Sequence, residues 1–166
     1  MRRRPGARVT GSLLIAGGAA GFAAAVLLTL ERIRMFSDPG YVPVCDLGAA
    51  FSCGRVLLSW QAEVFGFPNT YLGLAGFPLV AAVGVLALGQ VRIPRSVAWV
   101  HLAGVIAATG FAVWLVYQST VVLEALCPYC MVVWAAMPLV ITGAVRLAAL
   151  KPPVVERCDR DGPLVP

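Results

Sequence analysis

An all-α membrane protein, four transmembrane helices in one bundle with a long external loop and a short interfacial half-helix, is the fold that three observations in this 166-residue chain predict. Hydrophobic residues make up 60% of it and charged residues 13%, with a mean hydropathy of +0.85, outside the range of water-soluble domains. Four stretches are long and apolar enough to cross a bilayer as helices. The basic residues gather at the ends of those stretches rather than in a block of their own. Little chain remains for a separate soluble domain, so any soluble partner is expected to be a different polypeptide. The formal charge of +5 invites a nucleic-acid reading. Its position beside apolar runs is instead the pattern of membrane orientation, and no nucleic-acid partner is expected.

Residues 1–11 form a basic segment with Arg2, Arg3, Arg4 and Arg8. The uncharged run Ser12 to Leu30 follows, which at about 1.5 Å per residue spans the hydrocarbon core. A cleaved signal peptide has the same signature, with Ala23-Ala24-Ala25 as a cleavage site. The apolar run continues through Val26-Leu27-Leu28, which favours a retained helix. Gly17 and Gly21 give the G-x-x-x-G spacing of close helix approach, a spacing that chance also produces in so Ala- and Gly-rich a segment.

Residues 31–69 change composition, with Pro39, Gly40, Pro43 and two cysteines, and are expected to form the external loop. Within it, Gly54 to Gly66 sets Val56, Leu57, Trp60, Val64 and Phe65 at helical spacing, with Arg55, Gln61 and Glu63 elsewhere on the wheel, the pattern of an interfacial half-helix. Thr70 to Leu88 is the second span, with Pro78 as a kink site that neighbouring helices can accommodate. A turn with Arg92, Pro94 and Arg95 leads to the third span, Val97 to Tyr117. After a turn whose only charge is Glu124, the fourth span runs from Cys130 to Leu150 with Pro138 inside it. Lys151-Pro152-Pro153 stops that helix, and residues 151–166 read as a short, polar, disordered cytoplasmic tail.

Orientation follows from the basic residues. Ten of the thirteen lie in the N-terminal segment, the turn after the second span and the C-terminal end. The other three, Arg32, Arg34 and Arg55, share the long loop with four acids. Both termini are therefore expected in the cytoplasm and the two cysteine-bearing loops outside.

The five cysteines divide into Cys45 and Cys53, Cys127 and Cys130, and Cys158 alone. The first four fall on the external, disulfide-permissive side; Cys158 falls in the tail, where a reduced thiol without a role is expected. Cys127-Pro128-Tyr129-Cys130 opens the last span. Pro128 suits a first helical position, so Cys127 would cap the helix, where the positive end of its dipole favours the nucleophilic thiolate. The same four letters occur in glutaredoxins, but no βαβ pattern surrounds them here. Three readings of the four cysteines stay open on residues alone: a redox relay, two structural disulfides, and a zinc site. The seven-residue gap between Cys45 and Cys53 is wider than paired zinc ligands use.

The stretch from Cys45-Asp46 through Cys53-Gly54-Arg55-Val56, then Ser59, Phe65-Gly66, Asn69 and the C-x-x-C at Cys127 and Cys130, resembles the vitamin K epoxide reductase (VKOR) family over residues 12–150. The resemblance implies a four-helix bundle around a quinone pocket. It implies that Cys45 and Cys53 form a shuttle pair exchanging with a thioredoxin-like protein, that Cys53 passes electrons to Cys127, and that Cys130 faces the quinone. Asn69 matches the position that hydrogen-bonds a quinone carbonyl, and Ser59 a Ser/Thr position near the pair. Asp46 and Arg55 are expected to pair across the loop. Trp134 stands where vertebrate members have a substrate-binding tyrosine, which counts against epoxide chemistry. The thioredoxin-like domain fused in some bacterial members is not expected here, so the donor would have to come in trans.

The expected function is a thiol:quinone oxidoreductase of the bacterial cytoplasmic (inner) membrane. It would reoxidise a DsbA-like thioredoxin-fold partner and pass electrons to menaquinone or ubiquinone, supporting disulfide formation with no metal. Successive thiol–disulfide exchange between two cysteine pairs is chemically sufficient for such a relay, and a quinone needs only an apolar slot with one or two hydrogen-bond donors. The rivals are an endoplasmic-reticulum enzyme acting on vitamin K epoxide, and a membrane scaffold with structural disulfides. His101, the lone histidine, lies in the third span far from the cysteines; a neutral, internally hydrogen-bonded imidazole is expected there. Phe77, Phe111 and Trp114 read as packing residues rather than as a site.

Overall fold

The computed structural model describes residues 5–48 and 50–150. The tail with Cys158, and Arg2 to Arg4 of the basic segment, lie outside the described residues. The elements are α1 (Pro5–Ser37), α2 (Cys53–Leu57), a 3-10 turn (Trp60–Glu63), α3 (Thr70–Leu88), α4 (Arg95–Tyr117), a π-helical turn (Gln118–Val122) and α5 (Pro128–Ala149). Among the described residues there is no strand, only one parallel bridge between Phe51 and Leu126. Four helices are long and apolar enough to cross a membrane: α1, α3, α4 with its π-helical continuation, and α5. The chain is an all-α, multi-pass membrane protein.

Large apolar side chains such as Leu79, Val85, Val100, Ile106 and Val113 are exposed on the outside of the bundle. In a bilayer that surface is satisfied by lipid, so packing between helices rests on close approach of small residues rather than on exclusion of water. Helix α1 is the central post, with α3 on one side and α5 on the other, while α4 leans on α5. A Cβ on Gly18 would come within 2.9 Å of the Phe77 carbonyl, and one on Gly21 within 2.3 Å of the Phe77 ring, so both glycines let α3 approach. A Cβ on Gly17 would come within 2.7 Å of Val140 on α5. The G-x-x-x-G pair of the sequence thus serves two different neighbours. The ends of the bundle also separate: Gly6 lies against Leu150, placing the start of α1 and the end of α5 together at the end opposite the cysteines.

The second span coincides with its expected limits; two other expectations need correction. Helix α1 does not end at Leu30 but continues through Glu31 and Arg32 to Ser37. Both charged residues are buried, at 4% and 7% exposure, because each is partnered. The Tyr41 hydroxyl donates to Glu31 at 2.9 Å. Arg32 donates to the Leu57 carbonyl at 2.7 Å, pairs with Glu63 and lies over the Phe36 ring. Partnered in this way, the two charges are compatible with continued helix. The single half-helix expected over 54–66 is two pieces. The Ser59 hydroxyl donates to the Val56 carbonyl at 2.8 Å, closing α2, and its extended backbone starts the 3-10 turn.

Candidate functional site

The site is assembled from two helix starts and one bridge. Ser52 caps α2, its hydroxyl accepting from the Arg55 N–H at 3.2 Å, which makes Cys53 the first residue of that helix. Cys127 is the extended N-cap of α5 and Pro128 opens the helix, as the sequence predicts. The two starts are tied by the loop segment 50–52: the Ser52 N–H donates to the Leu126 carbonyl at 3.0 Å and the Leu126 N–H to the Ala50 carbonyl at 2.9 Å. These bonds fix the residues immediately before both cysteines.

As a result the Cys53 and Cys127 sulfurs lie 3.2 Å apart, and both residues are fully buried. Cys53 is disulfide-bonded to Cys45, their Cα atoms 5.7 Å apart, while Cys127 and Cys130 are free thiols. Leu28, Leu57, Met35 and Tyr129 enclose the group. A free thiol in contact with one sulfur of a disulfide is the arrangement that thiol–disulfide exchange requires.

The Cys127 thiol is held below the ordinary cysteine value. Its thiolate accepts a hydrogen bond from the Cys130 thiol, the largest influence, and from the backbone N–H groups of Cys130 and Tyr129. Burial and the charge of Asp46 oppose these. Alkylation of Cys127 by a small reagent should therefore reach half its limiting rate at lower pH than a free cysteine. Because the Cys130 thiol is the largest stabiliser of the thiolate, Cys130→Ala should move that midpoint upward; an unmoved midpoint would mean that the helix start alone sets it.

Cys130, one turn further on, lines a half-open cavity of about 640 Å³ within the bundle. Its end nearest the cysteines carries Ser59, Gln61, Asn69, Thr70 and Gln118; the remainder is largely apolar, with Phe77, Val105, Phe111, Met137 and Val140. Helices α3 and α4 scarcely touch, so the cavity occupies the gap between them. Asn69 is fixed at the rim: its backbone N–H donates to Ala62 at 2.8 Å and its side-chain amide to the Gln61 carbonyl at 2.6 Å. Trp134 lines the cavity one turn beyond Cys130. Cys127 does not reach it.

The structure thus brings Cys45, Cys53, Cys127 and Cys130 into one cluster, and Ser59, Asn69 and Trp134 around one cavity. It does not pair Asp46 with Arg55. Arg55 reaches instead to the Leu123 carbonyl at 3.5 Å, and Asp46 lies against Gly54. Arg55 is exposed, where an ion pair gains little over solvation, and Asp46 is partly buried in the space that the missing Gly54 side chain leaves. His101 also departs from expectation, since its Nε2 is buried without a partner and the cavity extends to it. The residue that the sequence did not single out is Gln61, buried at 3% exposure, while Phe77 and Phe111, read there as packing, line the cavity. No local pattern marks Gln61, which lies on the polar side of the half-helix wheel. Among the described residues no group of three or more His, Cys, Asp or Glu could hold a metal ion.

A profile described as the Vitamin K epoxide reductase family matches residues 12–145, which takes in most of each of the four long helices and all four clustered cysteines. Members of that family are membrane oxidoreductases that couple thiol–disulfide exchange to quinones. With its cysteine cluster abutting an intramembrane cavity, and most of its length matched, the chain belongs to the vitamin K epoxide reductase family.

Proposed function

We propose that the chain is a thiol:quinone oxidoreductase of the bacterial cytoplasmic membrane. Both termini face the cytoplasm, and the cysteine loops face outward toward a DsbA-like thioredoxin-fold partner. The observation that carries this reading is the continuity from the Cys45–Cys53 disulfide, through the 3.2 Å contact of Cys53 with Cys127, to Cys130 on the cavity wall. A scaffold with structural disulfides would have no use for two free thiols beside an existing bond.

The exchange runs in balanced steps. A partner thiolate attacks Cys45, releasing Cys53 as thiolate, and the partner's second thiol frees Cys45. Cys53 attacks Cys127 of a Cys127–Cys130 disulfide and displaces Cys130. Cys45 then attacks Cys53 and displaces Cys127. The outcome is a Cys45–Cys53 disulfide with Cys127 and Cys130 as thiols, the state that the structure contains.

The cavity fits a quinone by its size, within the roughly 300–1,000 Å³ of small-molecule sites, and by its single polar end beside Cys130. A bound quinone supplies an acceptor for two electrons and two protons. On this reading Asn69 orients it through its amide, Ser59 shapes the rim, and Trp134 bounds the site without the phenol that epoxide chemistry would use. The open gap between α3 and α4 gives a lipid-soluble molecule access from the bilayer. Menaquinone and ubiquinone both satisfy these features.

The test is quinone reduction, followed by absorbance, when a reduced thioredoxin-fold protein is added to the purified chain. Turnover is expected with the parent; none with several donors and both quinone classes would overturn the assignment.

A further inference from the structure

We infer that Gln61 makes the cavity selective for the reduced form of its ligand, by accepting a hydrogen bond from a quinol hydroxyl group through its unpartnered amide oxygen. This rests on reading the cavity as the quinone site.

Three buried oxygens on residues lining the polar end of the cavity have no hydrogen-bond partner: Gln61 Oε1, Asn69 Oδ1 and Thr70 Oγ1. A buried polar atom without a partner is costly, and its repetition at one end of a cavity is the mark of a site that a ligand completes. One hydrogen of each neighbouring amide is engaged: Gln61 Nε2 donates to Gln118 Oε1 at 3.3 Å, and Asn69 Nδ2 donates to the Gln61 carbonyl at 2.6 Å. Those bonds leave the Gln61 and Asn69 amide oxygens without a partner, and an amide oxygen can only accept, whereas the Thr70 hydroxyl can accept or donate.

The two redox forms of the ligand differ at the same atoms. Quinone oxygens are carbonyls and only accept hydrogen bonds, whereas quinol oxygens are hydroxyls and also donate. Closing the Cys127–Cys130 disulfide breaks two S–H bonds, forms one S–S bond and releases two electrons and two protons. The two carbonyl oxygens take these up and become hydroxyls. The reaction thereby creates donors that the Gln61 amide oxygen can use and that a quinone does not offer. Gln61 favours the product side of the transfer, drawing electrons off Cys130, and the same bond holds the quinol until it leaves.

The experiment is equilibrium dialysis of the full chain in detergent, carrying Cys130→Ser to prevent turnover, against decylubiquinone and, without oxygen, decylubiquinol. Gln61→Leu keeps the bulk and removes the acceptor. It should weaken quinol binding about three- to tenfold, the scale of one hydrogen bond, with quinone binding changed less than twofold. Gln61→Met should shift quinol binding in the same direction, and it decides the matter alone if Gln61→Leu does not fold; Thr70→Val, which removes a hydroxyl able to serve either form, should not separate the two. Equal weakening of both forms, or quinol binding that does not move, would overturn the inference while leaving the quinone site intact. If the unsubstituted rim binds neither form, the quinone reading of the cavity itself falls.

Discussion

Cys130→Ser should fold, lose quinone reduction down to background, and accumulate a disulfide between Cys53 and Cys127. The geometry requires all three. Cys130 lines the cavity and Cys127 does not, so the variant retains no thiol at the quinone. Serine is close in size to cysteine, and Cys130 is only half-buried, so packing is little disturbed. Cys127 keeps its 3.2 Å contact with Cys53 and can still attack it, releasing Cys45; Cys45 can attack back, so the two disulfides interconvert, but without the Cys130 thiol nothing resolves the bond at Cys127. Peptide mapping without reductant would show the Cys53–Cys127 pair as a substantial species. Its absence from the variant, with Cys45–Cys53 alone recovered, would mean that the two sulfurs are neighbours without exchanging.

Arg32→Met is expected to be the most damaging substitution away from the cysteines. One guanidinium joins α1 to the last carbonyl of α2 and to Glu63 at the end of the 3-10 turn. The turn carries Gln61 and Ala62, whose carbonyls in turn fix Asn69. Methionine preserves the apolar stem but leaves the Leu57 carbonyl without its charged donor, a loss of about 2 kcal/mol. Glu63 is half exposed, so Glu63→Gln should cost under about 1 kcal/mol. The check is the thermal midpoint of the purified protein, with KM for quinone measured on the same samples. Arg32→Met should lower the midpoint clearly and raise KM, and Glu63→Gln should do both weakly. Equal effects from the two would show that the ion pair, rather than the bond to Leu57, holds the roof.

Local signals and remote contacts divide what the sequence reveals about this molecule. Thr70 to Leu88 reads correctly because hydropathy is a property of the stretch itself, and Pro128 marks the start of α5 because its fixed φ and missing N–H act within one turn. Arg32 misleads for the opposite reason. Its charge argues for a helix end until Glu63, thirty-one residues away, is folded against it. Ser59 breaks the half-helix through a hydroxyl bond that spacing does not encode. The cysteine motifs identify the members of the site, yet the meeting of Cys53 with Cys127 depends on two backbone bonds to Ala50 and Leu126, which have no side-chain signature. Gln61 is the clearest omission: a polar residue on a wheel looks solvated, and only the tertiary fold buries it.

The bridge between Phe51 and Leu126 also has a kinetic meaning. A flexible tether of moderate length presents one group to another at about millimolar effective concentration. Two backbone bonds that hold adjacent residues in register do far better, because orientation is settled in advance. Transfer between the cysteine pairs is then first order and indifferent to how thinly the protein is spread through a membrane. Delivery by a soluble donor is second order. The flux of the whole reaction should therefore follow donor abundance, with the internal step fast enough to go unseen until the bridge is disrupted.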